Sequence, residues 1–147
     1  MITEDYVSFE IAKLLKEKGF KLDDCHTAYD ENGSFFWYGD YSKDRKGIMD
    51  APTLQMAMKW FEEVHNILLI PDYDYECTDK SWCYKIYQLE EGGKPKRVPV
   101  EGVRYDSLGE PHVEVVAYRD YERSFADYAT KKEACEAAIK YCLEKLI

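Results

Sequence analysis

Apolar residues recur along the first twenty positions at the spacing of one helix face, with Val7, Ile11, Leu14 and Leu15 in a single stripe. The pattern predicts a helix from about Thr3 to Lys18. Thr3 is placed to cap it, Glu4 and Asp5 suit the positive end of its dipole, and Lys16 and Lys18 suit the negative end. Gly19 supplies a left-handed stop, with Phe20 placed to fold back on the last turn. Cys25 to Tyr41 reads as a β-hairpin turning at Asn32-Gly33, since both residues tolerate positive φ. Its second strand, Ser34-Phe35-Phe36-Trp37-Tyr38, is apolar on both faces, and Ser42 to Asp50 is polar and is expected to be a loop.

A second helix is expected from Ala51 to Asn66, with Pro52 in its first turn and Asn66 ending it. Leu54, Ala57, Met58, Phe61 and Val64 share one face, with Met56 and Trp60 to the side. Ile67 to Ile70 is a short buried strand entered directly from the helix, and Pro71 is expected to limit it. Trp82 to Leu89 alternates, Trp82, Tyr84 and Ile86 pointing one way and Cys83, Lys85, Tyr87 and Leu89 the other. Glu91 to Pro95 is a turn. Val98 to Tyr105 returns as a strand whose Pro99 argues for an edge. His112 to Tyr118 alternates with Val113, Val115 and Ala117 on one face. A last helix starts at Thr130, where Thr130 and Glu133 form a capping box. Its wide apolar face contains the small residues Ala134, Ala137 and Ala138, and Glu136 and Lys140 are spaced for an i,i+4 pair.

Strands in neighbouring hairpins with three helices left over predict an α+β fold. The expected architecture is one domain over 1–147: an antiparallel sheet of about four to six strands, with three helices packed mainly on one face. One internal echo stands out. Tyr38-Gly39-Asp40-Tyr41 precedes the second helix and Tyr118-Arg119-Asp120-Tyr121 the third, and each helix carries a threonine with an alanine four residues on, Thr53/Ala57 and Thr130/Ala134. A duplicated unit or chance in a chain rich in Tyr and Asp would both produce it.

Charge narrows the partners. The chain has a formal net charge of −9, which disfavours phosphate backbones and anionic lipid, so neither nucleic acid nor a membrane is an expected partner. No apolar run approaches the length of a membrane span, and the first residues lack the basic start and apolar stretch of a secretion signal, so a cytoplasmic location is expected. Thirteen tyrosines suit half-buried sheet faces and contact surfaces alike. Five cysteines in irregular spacing, without CxxC, make neither a disulfide framework nor a zinc site, and Cys135 and Cys142 read as small core side chains.

Three stretches together, MITEDYVSFEIAKLLKEKGF, APTLQMAMKW at Ala51 to Trp60 and TKKEACEAAIKYCLEKLI at the end, resemble a group of small uncharacterised proteins of gut Bacteroidetes, their phages and mobile elements. The resemblance covers about a third of the chain. It implies an intracellular accessory protein of bacterial or phage origin, and it brings no catalytic motif and no functional residues.

Phosphate-binding loops, the nucleophile elbow, HExxH and the calcium loop are missing from the sequence, so no catalytic residue, cofactor or metal ligand is assigned. Cys25-His26 is the one adjacent nucleophile and base, but strand neighbours point to opposite faces. His65, near a helix end, would suit the dipole when protonated, and His112 is expected to face solvent or a polar neighbour. Asp72-Tyr73-Asp74-Tyr75-Glu76 is a dense acidic and aromatic run, read as a solvated loop or as a contact for a basic partner. The expected contact residues are Phe36, Tyr38, Asp72, Tyr73, Asp74 and Tyr75. The leading expectation is a non-enzymatic accessory protein that binds another protein or itself. An acidic nucleic-acid mimic that inhibits a defence enzyme, and a small enzyme with a cysteine or carboxylate site, are the alternatives.

Overall fold

A computed structural model describes residues 5–21, 25–37, 47–76, 81–124 and 127–147. It is an α+β fold whose strands pair antiparallel. The order is α1 (Phe9–Glu17), β1 (Thr27–Tyr29), β2 (Phe35–Trp37), β3 (Met49–Asp50), α2 (Leu54–His65), β4 (Ile67–Tyr73), β5 (Trp82–Gln88), β6 (Val98–Tyr105), β7 (Pro111–Arg119), β8 (Glu122–Arg123) and α3 (Lys131–Lys145). The strands divide into three sheets, ordered β2-β1-β3, β4-β5-β8 and β6-β7, where a larger single sheet was the expectation.

Helix α1 begins later than its apolar stripe predicts. Ser8 is the cap, its Oγ accepting from the N–H of Ile11 at 3.3 Å. Ahead of it the chain runs extended beside α2, with Tyr6 bridging to Thr53 and the Val7 N–H donating to the Pro52 carbonyl at 3.0 Å. Val7 is therefore buried as part of an extended segment, not of a helix face. The expected Thr3 cap lies outside the described residues. The expected stop does form: Gly19 has φ +81°, and the Phe20 N–H reaches back to the Leu15 carbonyl at 2.9 Å. Phe20 then packs edge-on against Trp60 at 5.3 Å.

The β1–β2 hairpin turns on a three-residue loop. Only Gly33 takes positive φ, the Asp30 N–H bonds the Ser34 carbonyl, and Asp30 Oδ1 accepts from the N–H groups of Asn32 and Ser34. The hairpin thus turns at Asn32-Gly33 as expected, but without positive φ at Asn32, an aspartate side chain holding the loop instead. Met49–Asp50, expected as loop, pairs with β1.

Helix α2 is capped by Thr53, whose Oγ1 accepts from Met56 N–H at 3.2 Å, and ends on Asn66 in the left-handed region at φ +54°. Its buried face holds Leu54, Ala57, Trp60 and Phe61, while Val64 is exposed, so the apolar stripe lies toward Trp60. Strand β4 runs through Pro71 to Tyr73 rather than stopping there. It is an edge of its sheet, and a residue without an N–H is tolerated where that bond would face outward.

Helix α3 has the expected capping box in slightly shifted form. Thr130 Oγ1 accepts from Glu133 N–H, and Glu133 Oε2 accepts from Ala129 N–H, both at 3.1 Å. The Thr/Ala echo has a local meaning: Thr53 and Thr130 are caps, and Ala57 and Ala134 are buried first-turn residues that let each helix approach its neighbours. Tyr38 to Tyr41, the other half of that echo, lies outside the described residues. Lys140 pairs with Glu10 on α1 at 2.9 Å instead of with Glu136 on its own helix.

The core joins Ile11, Leu15, Phe61, Ile67, Ile86, Ile139 and Leu143: α2 and α3 close over one face of β4 and β5, and α1 packs on α3 and β3. None of its buried residues belongs to β6 or β7. No described helix is long and apolar enough to cross a membrane.

Candidate functional site

The acidic run straddles the open edge of the second sheet. Register pairs Asp72 with Cys83 and Ile70 with Lys85, so these side chains lie on the face opposite the helices. Asp72 is bound by Lys85 at 3.2 Å and Asp74 by Arg123 of β8 at 3.3 Å. The Lys85 hydrogen bond holds the Asp72 carboxyl below its usual range, and the same bond raises Lys85. Lys85 also lies 4.9 Å from the centre of the Tyr121 ring, which meets Tyr87 at 5.2 Å. Tyr73 turns to the other face and stacks edge-on against Trp82 at 5.4 Å, and Tyr75 is exposed in the turn beyond. The two inner carboxylates of the run are therefore engaged by cations of their own sheet, which reduces the field available to steer a basic partner.

Phe36 is half-buried in β2, on the first sheet, while its neighbours Phe35 and Trp37 are exposed. Tyr38 lies outside the described residues. The expected contact residues thus occupy two separate sheets, the second and the first.

The candidate chemical groups do not converge. Cys25 is buried, with its Sγ 3.5 Å from the Thr27 carbonyl, and His26 stacks toward Trp37 at 5.8 Å. His65 packs against Trp60 at 4.6 Å, and burial lowers its pKa. Burial thus disfavours the protonated dipole partner the sequence suggested. Its Nε2 is buried with no hydrogen-bond partner among the described residues. His112 is exposed and pairs with Asp106 at 2.8 Å. Burial pushes the Cys142 thiol up to about 12 and raises Cys135, the reverse of what a nucleophilic thiolate needs. Burial also raises Tyr84 to about 12, beside Tyr128 and Tyr141. Among the described residues, no three His, Cys, Asp or Glu side chains gather to hold a metal ion.

The surface that stands out is one the sequence did not single out. Strands β6 and β7 pair only with each other in their sheet, and every residue of β7 is exposed. Their register places Val116 as an extra residue: Val100 faces Ala117, yet Glu101 faces Val115. A Cβ on Gly102 would meet Val116 Cγ2 at 2.9 Å, so the glycine makes room for the bulged side chain. The bulge reverses the alternation on β7. Ala117 turns away from Val113 and Val115, against expectation, and Tyr118 joins them.

The ribbon is consequently two-faced. One face carries the pairs Pro99/Tyr118, Glu101/Val115, Val103/Val113 and Tyr105/Pro111. Its side chains are open to water: Val103 is 56%, Tyr105 71%, Val113 70% and Tyr118 56% exposed. The other face is polar toward the tip and satisfied internally, by Arg104–Glu114 at 2.7 Å and His112–Asp106 at 2.8 Å. At the tip Asp106 Oδ1 accepts from the N–H groups of Leu108 and Glu110, the same loop as at Asp30. The sequence signal was available in the alternation of Val103, Tyr105, Val113 and Val115. What sequence could not show is that no described helix covers them.

Compared with protein-family models, with curated proteins and with solved structures, the chain matches none.

Proposed function

We propose that this protein is a non-enzymatic binding module that acts through protein–protein contact, with the open face of the β6–β7 ribbon as its principal contact surface. The observation that carries this reading is the row Val103, Tyr105, Val113, Val115 and Tyr118 standing in water on a ribbon whose opposite face pairs its charges near the tip. A two-stranded ribbon is marginal alone, and a third layer or strand against its apolar face stabilises it. Contiguous exposed apolar surface of this kind marks interaction sites. The exposed Tyr75, and the acidic run about Asp72 and Asp74, are secondary contacts in this reading. Scattered histidines and thiols pushed up by burial support binding over catalysis. The accessory, intracellular role that the sequence resemblance implies belongs to the same proposal. Internal pairing of Asp72 and Asp74 weighs against the nucleic-acid mimic.

The test is affinity capture with the full chain and with a Val103→Glu/Val113→Glu variant, read by mass spectrometry. A stoichiometric partner, other than the chain itself or including it, held by the wild type and lost by the folded variant is expected. Equal capture by both would remove the ribbon from the contact.

A further inference from the structure

We infer that the occupant of the ribbon's open face is the same face of a second copy of this chain, two ribbons closing into a four-stranded, two-layer sandwich. The inference rests on the reading of the ribbon as the contact surface and adds the identity of what covers it.

Area is the first argument. Three valines, two tyrosines and two prolines at these exposures present on the order of 600 Å² of largely apolar surface, the upper end of what monomers leave open. Two copies face to face would remove about 1,200 Å² from water, the lower bound for a specific interface. An apolar face with a single charged residue carries little to repel its own copy, and a two-fold contact requires a surface that can meet itself. Layered ribbons at the ordinary inter-sheet spacing would supply the second layer that an isolated pair of strands lacks.

Charge is the second argument. Copies of a chain at −9 repel each other over most of their surface. Between Lys94 and Arg119 five cations meet four carboxylates, so the ribbon adds little to that repulsion. Glu101 is the one residue charged at neutral pH among the eight residues of the open face pairs. Arg104 and Glu114 neutralise each other on the far face, and Lys94, Lys96 and Arg97 lead into the strands. Arg97 lies 4.7 Å from the centre of the Tyr118 ring, bringing a cation to the end of the open face that holds Glu101. A differently charged partner would need a charged face to read, and this face offers none beyond Glu101.

The experiment is sedimentation equilibrium of the full chain across a micromolar to submillimolar series, for the wild type, Val103→Glu/Val113→Glu and Trp37→Glu. Trp37 is 69% exposed on the first sheet and serves as a control for apolar surface elsewhere. A wild-type dimer is expected, weakened by more than about tenfold in the double variant and unchanged in Trp37→Glu. A photo-crosslinking residue placed at Val113 guards against a variant whose ribbon has unfolded. Its cross-links are expected within Val98–Arg119 of the second copy. A wild-type monomer at every concentration, or cross-links outside that segment, overturns self-pairing. If the chain is monomeric yet captures a different protein through the ribbon, the binding-module reading survives and the self-pairing inference falls. If it is monomeric and captures nothing, both fall.

Discussion

Two long antiparallel strand pairs, β4–β5 and β6–β7, sit in one chain and meet opposite fates. Both are rich in β-branched aliphatic residues and tyrosine, isoleucine in β4–β5 and valine in β6–β7, and both carry proline in a strand whose edge position tolerates it. In β4–β5 the inward row, Ile67, Leu69 and Ile86, lies under α2 and α3 and is almost fully buried. In β6–β7 the equivalent row, Val103, Val113 and Val115, is covered by none of the described elements. The difference is one of chain order. Helix α2 leads directly into β4, and α3 returns over β4 and β5, whereas β6 and β7 are flanked by a turn at Glu90–Lys94 and the short strand β8. Strand pattern tells a residue which neighbours share its face, and the elements before and after decide whether anything reaches that face.

The sharpest way to break the comparison is the same truncation in both pairs. Ile86→Ala removes a fully buried side chain and is expected to cost ~2–5 kcal/mol in urea unfolding. Val113→Ala, in dilute solution, is expected to stay within about 0.5 kcal/mol, as surface changes do. A loss at Val113 that grows with protein concentration would show that a second copy covers it. Equal losses at the two sites in dilute solution would mean the ribbon is packed within one chain. A smaller effect tests the helix that makes the difference: Thr130→Ala removes the α3 cap and is expected to cost ~1 kcal/mol, read as a lower urea midpoint. Protection of β4–β5 amides should fall with it, while those of β6–β7 stay unchanged.

The smallest effect is a pH dependence confined to the covered half. His65, at the end of α2, has its pKa lowered below the ordinary 6.5 by burial. The unfolded chain then binds the proton more readily than the folded one. Stability should be full above 6.5, decline as pH falls through that value, and level off below the folded pKa. His65→Gln should flatten the midpoint between about pH 7 and 5, where an unshifted histidine in the folded state would leave the two profiles parallel.

Much of the covered half was legible from the sequence because its signals are local. Gly19, Asn66 and the Thr130/Glu133 box announced helix ends by backbone conformation and by hydrogen bonds within a few residues. The stripes of Ile11 and Leu15, and of Ala57 and Phe61, announced helix faces by period alone. The errors came where a distant partner decided. Val7 continues a helical stripe yet lies extended because it bonds to Pro52, and Met49 becomes strand because β1 is beside it. Lys140 found Glu10 on another helix before Glu136 on its own. The candidate site failed to read for the same reason. Asp72 and Asp74 look like an acidic surface until Lys85 and Arg123 arrive from strands 13 and 49 residues away.

By itself the sequence determined the α+β class, the three helices, the ends at Gly19, Asn66 and Thr130 and the first hairpin, because each follows from residues within a turn or two of one another. Tertiary structure alone decided that the strands fall into three sheets, that the bulge at Val116 swings Tyr118 onto the face of Val113, and that this face is left open. Burial is a property of what the rest of the chain brings to a surface. An alternating strand carries the same pattern whether a helix lies on it or water does.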